Sequence, residues 1–426
     1  MDIFSTKEYR RSRGAYKAQC TFEYFIAILS ADAFLAKLLT DIGVSDAATG
    51  IISSLISFSF LFQFAALFFA DKIRKIKKTV VAFDTCSQLL FMSIFFVPFL
   101  PLSVAGKTAA VTVLLLLAYF CLYIIIAVCY KWGNSFVEPG KRGTYSATKE
   151  MISLISGIFF TLAVGAVVDK FEAAGNLHGA FLFIACSMFI VSCCNFASFM
   201  LISDPEKPAG GSRKNITDIL RRTFGVKSFR NTVILACLWD MARYMTVGFM
   251  GTFKTNDLMM SVGTVQVINT AASLGRFAVS RPFGRYSDKN SYSKGFNIAL
   301  IIAAAGFIFN MFSSSGSKWC VVAFTVLYHM SLAGTNQNNY NMIYSYLDDD
   351  YIVYGMAVND GLRGIAGFIS SLAGSRVLSA IQKNGGALFG KSLYPQQALS
   401  FISLLITGAG ILFNVKVVSK QKEERK

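Results

Sequence analysis

Ala70-Asp71-Lys72-Ile73-Arg74-Lys75-Ile76-Lys77-Lys78 is a dense basic turn between two long apolar runs, residues 48–69 and 79–100. Far downstream, Gly284-Arg285-Tyr286-Ser287-Asp288-Lys289-Asn290-Ser291-Tyr292-Ser293-Lys294 repeats the arrangement, again between apolar runs. The shift that carries Asp71 onto Asp288 also carries Lys72 onto Lys289, Lys77 onto Lys294, Glu23 onto Asp240 and Lys37 onto Lys254. That shift is about half the chain, and a repeat of such length sets the architecture before any single residue is weighed. The chain reads as a duplicated membrane protein.

Composition agrees. The 426 residues are 54% hydrophobic and only 15% charged, with a mean hydropathy of +0.52, whereas soluble chains carry about 25% charged residues. The apolar runs reach about twenty residues, enough to cross a bilayer as helices. The net charge of +17 is concentrated in short turns, as the positive-inside rule requires. No basic soluble domain remains to hold nucleic acid, so the implied partner is the lipid bilayer. Nearly all of the nine cysteines lie inside apolar runs, where a free thiol is a small hydrophobe. Their spacing suits neither a zinc site nor a disulfide framework, and no metal or cofactor is expected. Lys7, Arg10, Arg11, Arg13 and Lys17 precede a full-length span with no small-residue cleavage site, so that span is expected to be retained.

About twelve spans follow from length and hydropathy. They are residues 18–40, 48–70, 80–100, 110–130, 146–168 and 179–202, then 231–253, 262–283, 296–312, 319–344, 352–378 and 398–418. The expected fold class is an all-α polytopic membrane protein, with twelve transmembrane helices in two pseudo-symmetric six-helix bundles. Residues 1–202 form the first bundle and 231–426 the second, joined by a cytoplasmic linker at 203–230. The linker opens with Asp204-Pro205-Glu206-Lys207-Pro208-Ala209-Gly210-Gly211, a flexible composition. Its second part sets Ile216, Ile219 and Leu220 on one face beside Arg221 and Arg222, which suits a short interfacial helix or a disordered linker. The alternation of basic turns puts both termini in the cytoplasm, with a monomer in a plasma membrane (a bacterial inner membrane) as the expected setting.

The Asp71 and Asp288 turns resemble the signature loop of the major facilitator superfamily, Gly-x-x-x-Asp-Arg/Lys-x-Gly-Arg-Lys, found after the second and eighth spans. Val137-Glu138-Pro139-Gly140-Lys141-Arg142-Gly143-Thr144-Tyr145 is similar to the Pro…Arg-Gly…Tyr loop between spans four and five of that superfamily. Gly284 keeps the leading glycine in the second copy, while Leu67 and Arg74 replace both glycines of the first. The resemblance covers the whole chain in topology. It implies two halves rocking around a central site. It also implies that Asp71 locks onto the start of span eleven and Asp288 onto the start of span five, where free N–H groups and the helix dipole favour negative charge. The gate candidates are therefore Asp71, Lys72, Arg74 and Lys75 opposite Asp349 of the Asp348–Asp350 turn. In the second half they are Gly284, Arg285, Asp288 and Lys289 with Glu138 and Arg142. The acidic turn serves equally well as the cap of span eleven.

Ionisable residues inside spans are costly and mark function. Span one holds Glu23, Asp32 and Lys37, and span seven holds Asp240, Arg243 and Lys254. At about 100° per residue, Glu23, Ser30 and Lys37 share one face with Asp32 opposite, and Asp240, Tyr244, Val247, Gly251 and Lys254 form the matching stripe. Spans one and seven line the cavity in the family, so Glu23, Asp32 and Asp240 are the candidates to take up a coupling proton. Asp32 resembles the span-one carboxylate of proton-coupled sugar porters, without their basic partner in span four. The plainer alternative is a structural pair such as Asp240 with Arg243. Span ten carries Gly334-Thr335-Asn336-Gln337-Asn338-Asn339-Tyr340-Asn341, whose amides match hydroxyl-rich solutes or join helices. The expected solute site draws on Asn336, Gln337, Asn339 and Tyr340 of that span, on Tyr123, Tyr130 and Trp132 of span four, and on Arg243, Tyr244, Arg276, Asp360 and Arg363. Convergence of the three arginines is the mark of an anionic solute.

These features point to a secondary active transporter driven by an ion gradient, since no phosphate-binding loop for ATP is present. An enzyme is not expected, because no carboxylate pair, His cluster or nucleophile–base pair sits near a membrane face. The leading expectation is proton symport of a neutral polar solute such as a sugar or glycoside. The alternatives are an exporter of amphipathic or drug-like compounds, suggested by 40 Phe residues, an organic-anion transporter, and a non-transporting receptor or scaffold.

Overall fold

The computed structural model describes residues 4, 6–30, 32–44, 52, 55–56, 58–65, 68, 73, 75–204, 216–260, 262–383, 387–388, 391–392 and 394–421. Asp71, Lys72 and Arg74 lie outside these residues, as does the side chain of Asp32. Contacts divide the chain into two compact units, residues 1–138 with 152–216 and residues 139–151 with 217–426.

The first unit contains α1 (Lys7–Leu29), α2 (Asp32–Asp41), α3 (Ile76–Ser93), α4 (Val104–Asn134), most of α5 (Arg142–Ala173) and α6 (Leu177–Leu201). The second contains the start of α5, then α7 (Ile216–Gly225), α8 (Lys227–Thr246), α9 (Val262–Lys289), α10 (Tyr292–Met311), α11 (Lys318–Tyr346), α12 (Ile352–Lys383) and α13 (Pro395–Lys416). Local chemistry sets the helix starts. Ser103 accepts from the Gly106 N–H at 3.2 Å, Asn176 from Gly179 at 2.9 Å and Ser291 from Lys294 at 3.2 Å, each satisfying an orphan donor of a first turn. Pro395 opens α13, where its missing N–H costs nothing.

Packing repeats. α1 lies on α6 as α8 lies on α13; α3 lies on α4 as α10 lies on α11; α3 lies on α6 as α10 lies on α13. The duplicated sequence thus yields the same helix partnerships twice. Leu29, Phe91, Phe95, Leu115, Phe181 and Met188 anchor the first core, and Trp239, Phe253, Phe296, Phe307, Phe324 and Met342 the second. Other apolar side chains, including Phe159, Leu162, Ile190, Leu405 and Leu412, stand open on the surface. Exposure of apolar groups on this scale marks a surface meant for lipid. Among the described residues seven helices are long and apolar enough to cross a bilayer. The long helices α1, α8, α9 and α11 fall outside that set, and they carry many of the charged and amide groups that matter below. The fold is all-α and polytopic.

Candidate functional site

Asp240, on α8, has both carboxylate oxygens taken by guanidinium groups. Oδ1 accepts from Arg243 Nη1 at 3.5 Å and Oδ2 from Arg363 Nε at 2.8 Å. Arg363, on α12, reaches two acids at once, since its Nη1 also donates to Asp360 Oδ1 at 3.1 Å. Asp360 is completed by the Tyr340 hydroxyl from α11 and the Asn359 amide, each at 2.9 Å. The side chain of Asp240 is 3% exposed and that of Arg363 11%. An uncompensated charge at such depth costs several kcal/mol; here two acids and two arginines cancel. Three-residue spacing puts Asp240 with Arg243, and Asp360 with Arg363, on common helix faces, and Arg363 bridges α8 to α12. The Arg243 guanidinium also lies over the Tyr244 ring, 4.7 Å from its centre, while its Nε is buried with no acceptor among the described residues.

The third intramembrane arginine goes elsewhere. Arg276, on α9, pairs with Glu150 near the start of α5, and Glu150 also accepts from Gln337 Nε2 of α11 at 2.7 Å. Arg243 and Arg363 therefore meet on Asp240, and Arg276 has its own carboxylate.

Asp288, in the last turn of α9, closes onto the start of α5. Its Oδ1 accepts from the Gly143 N–H at 3.0 Å, and its Oδ2 from the Thr144 N–H at 2.7 Å and the Thr144 hydroxyl at 2.6 Å. These N–H groups belong to the first turn, which lacks partners inside its own helix, and the carboxylate meets the positive end of the dipole. The approach depends on Gly284. A Cβ there would stand 2.7 Å from the Gly143 carbonyl oxygen and 2.8 Å from the Ala147 Cβ. Arg142 lies beside this contact with its guanidinium over the Tyr344 ring, 4.6 Å from the centre.

The family model of the Major Facilitator Superfamily matches residues 20–371. The chain belongs to the major facilitator superfamily. No curated protein matches the sequence. Among solved structures, the fucose:proton symporter of E. coli is 13% identical with a TM-score of 0.71, over 97% of this chain and 98% of that one. A bacterial homologue of the iron transporter ferroportin, in an outward-facing state, is 12% identical with a TM-score of 0.71, over 98% and 100%. The human organic anion transporter MFSD10 is 14% identical with a TM-score of 0.70, over 96% and 100%. At these identities the likeness is one of fold. As a member of the major facilitator superfamily the protein is a multi-pass membrane transporter.

Within this superfamily fold, the first unit holds a carboxylate that the sequence reading passed over. Asp84, on α3, accepts on Oδ2 from Gln88 Nε2 at 2.7 Å and from Asn195 Nδ2 of α6 at 2.6 Å. Glu23 accepts from Gln19 at 2.8 Å, and Lys37 pairs with Glu172. Two of the aromatic residues expected to meet solute also pack against neighbouring groups. Tyr123 stacks on Tyr119 and meets Phe60 edge-on. Trp132 donates from its indole to the Ser203 carbonyl at 3.1 Å and stacks on Phe199. Tyr130 is half-buried near the end of α4.

The α11 amides divide their work. Gln337 holds Glu150, and Asn338 donates to the Gly334 carbonyl of its own helix at 2.8 Å. Asn336 is half-buried on the face it shares with Tyr340, four residues on. Asn339 is buried with neither amide atom partnered among the described residues. Of the gate candidates, Lys75, Arg285, Lys289 and Asp349 are exposed, and Glu138 is half-buried just before the turn Pro139–Lys141.

Proposed function

We propose that this transporter is a cation-coupled symporter, with the proton as the expected ion, and that α8, α11 and α12 hold a small polar organic solute. The observation that carries this reading is the Asp240–Arg363–Asp360–Tyr340 cluster. Charge inside a span is expensive and is kept for use. A charge-balanced cluster suits a site whose contacts are exchanged: when a solute oxygen takes a guanidinium donor, or a proton occupies a carboxylate, the remaining partners rearrange without leaving net charge. The Arg243 Nε and both atoms of the Asn339 amide stay available for a hydrogen-bonding solute, as polar sites provide. Glu23, Asp32 and Asp240 remain the proposed carriers of the proton, and the basic turns favour cytoplasmic termini.

The test is uptake into proteoliposomes, with sugars, polyols, nucleosides and organic anions offered under an imposed proton gradient. Accumulation of at least one polar solute against its gradient is expected, falling to background in Asp240→Asn. Expulsion of hydrophobic cations, with no response to any polar solute, overturns the reading in favour of an exporter.

One observation favours a negatively charged solute over a neutral one. Lys254, in the π-helical turn Phe253–Asp257, is only 6% exposed, and its ammonium has no carboxylate or hydrogen-bond partner among the described residues. Its repeat counterpart Lys37 pairs with Glu172, but the sequence holds no Asp or Glu between Asp360 and Glu423 to give Lys254 the same. Lys254→Gln is expected to raise the KM for an organic anion about tenfold, the scale of one charge-assisted hydrogen bond. An equal change for neutral solutes, or no change for anions, removes Lys254 from the solute site.

A further inference from the structure

We propose that Asp84, Gln88 and Asn195 form the binding site of the coupling cation, a proton or a sodium ion, in the first unit of the transporter. The proposal rests on the reading of cation-coupled transport and adds Asp84 to Glu23, Asp32 and Asp240 as a seat of the ion.

The inward face of α3 is Val80, Val81, Asp84, Ser87, Gln88 and Phe91, a stripe with helical spacing. Asp84 sits mid-stripe, where its short side chain has no route to an interface. It is 2% exposed, and the amides on it, Gln88 and Asn195, are 3% and 1% exposed. Both amides give their nitrogen to one oxygen, Asp84 Oδ2. The other buried carboxylates, Asp240 and Asp360, have two arginines and one, and half-buried Glu150 has one. Asp84 has no Lys, Arg or His partner among the described residues. The helices against α3 bring none, since α6 contains no Lys or Arg, its one histidine, His178, lies in its first turn, and the lysines of α4, Lys107 and Lys131, lie near its ends. The ionisable group that does act on Asp84 is another acid, Glu23 of α1. An ionised carboxylate held in apolar surroundings by neutral donors alone is strongly disfavoured, and a bound cation balances it.

A second observation is independent of charge. Each amide spends its nitrogen on Asp84, which leaves its carbonyl oxygen to find another partner. Gln88 Oε1 and Asn195 Oδ1 are both buried with no donor among the described residues, and so is Ser192 Oγ, one turn before Asn195 on α6. Buried acceptors are nearly always satisfied, and leaving one unsatisfied is costly. A carboxylate and the oxygens of the two amides bonded to it are the donor type that hard cations take, and the single negative charge matches a monovalent ion. A proton binds on the Asp84 carboxylate with the two amides setting its affinity; sodium needs the amide oxygens as ligands.

Reconstituted wild type and Asp84→Asn decide the matter, under a proton gradient alone and a sodium gradient alone. Asp84→Asn is expected to lose accumulation against a gradient while keeping solute counterflow, which needs no net cation entry. Purified protein without solute gives the second readout. A rise in the unfolding midpoint with sodium but not choline chloride, absent in Asp84→Asn, assigns sodium. Solute-linked proton uptake that vanishes in the variant, with no sodium effect, assigns the proton. Asn195→Ala leaves the carboxylate in place and serves if Asp84→Asn fails to fold; its half-saturating sodium concentration is expected to rise about tenfold, and its solute-linked proton uptake to change in pH dependence. Uphill accumulation and cation response in Asp84→Asn equal to wild type, or an Asn195→Ala variant with unaltered cation dependence, overturn the site. Wild type that never accumulates solute under either gradient instead defeats the coupled-transport reading, and cation binding to the purified protein still judges the site.

Discussion

Arg363→Leu is expected to lower the unfolding midpoint of the detergent-solubilised transporter sharply and to reduce uptake to background. The guanidinium serves two buried acids, Asp240 at 2.8 Å and Asp360 at 3.1 Å. Without it Asp240 keeps only the 3.5 Å contact with Arg243, and Asp360 keeps a hydroxyl and an amide. Breaking one buried pair by removing a partner costs about 3–5 kcal/mol, chiefly because a charge is left stranded. The remedy follows from that cause. Adding Asp360→Asn to Arg363→Leu, which leaves Asp240 balanced by Arg243, is expected to recover much of the midpoint while transport stays absent, because the cost lies in stranded charge and the function lies in the charges themselves. Arg363→Lys offers one compact donor in place of a planar fork, so it is expected to fall between, with uptake reduced. Midpoints are compared at one scan rate, since large membrane proteins commonly unfold irreversibly. An Arg363→Leu protein with wild-type midpoint and uptake would show that the cluster is neither structural nor functional.

The charges of this cluster were legible in the sequence, and their pairing only partly so. Asp240, Arg243, Asp360 and Arg363 announce themselves because nothing inexpensive explains an ionised group in an apolar run. Helical spacing then pairs Asp240 with Arg243 and Asp360 with Arg363. Both pairs form, but the shorter bond to Asp240 comes from Arg363 on another helix, and helix depth and crossing are set by packing that spacing within one helix does not encode. Glu150 and Asp84 escaped for a different reason. The repeat shift that aligns Glu23 with Asp240 carries Asp84 onto Ile301 and Glu150 onto Gly367. A reading guided by duplication finds what the halves share, whereas these two acids are where the halves differ. A single carboxylate inside each apolar run was the available signal.

The aromatic residues of α4 were legible as rings, and what they meet was not. Tyr123 and Trp132 look like faces for a sugar ring, but an aromatic ring in a span has the same sequence signature whether it meets a solute or a neighbouring helix. The structure sets Ser203 and Phe199 against Trp132 and Tyr119 against Tyr123, contacts that the sequence does not mark. The membrane fold was the most legible part, because an apolar run of about twenty residues has few uses other than spanning a bilayer, where only helices and closed barrels satisfy the backbone.

Gly284→Val is expected to abolish transport more completely than removing the Asp288 carboxylate that Gly284 helps to position. A Cβ at 284 meets the Gly143 carbonyl oxygen at 2.7 Å and the Ala147 Cβ at 2.8 Å. Both belong to the backbone or its first side-chain atom, so no rotamer change relieves them and α9 must draw away from α5. The three bonds from Gly143 and Thr144 to Asp288, at 2.6 to 3.0 Å, then stretch together. Overpacking costs about 1–3 kcal/mol, and loss of a helix cap with its dipole contact adds about 1–2 kcal/mol. Asp288→Asn removes the charge but keeps an acceptor, Asp288→Ala removes the cap, and Gly284→Ala adds the smallest clash. The unfolding midpoint is therefore expected to fall in the order wild type, Asp288→Asn, Asp288→Ala, Gly284→Val, with Gly284→Ala above Gly284→Val. Gly143→Ala tests the same contact from the other side, because a Cβ there runs into the Asp288 carboxylate itself. If Gly284→Val kept the wild-type midpoint while Asp288→Ala lost it, the close approach of α9 and α5 would be incidental and the carboxylate alone would hold the start of α5.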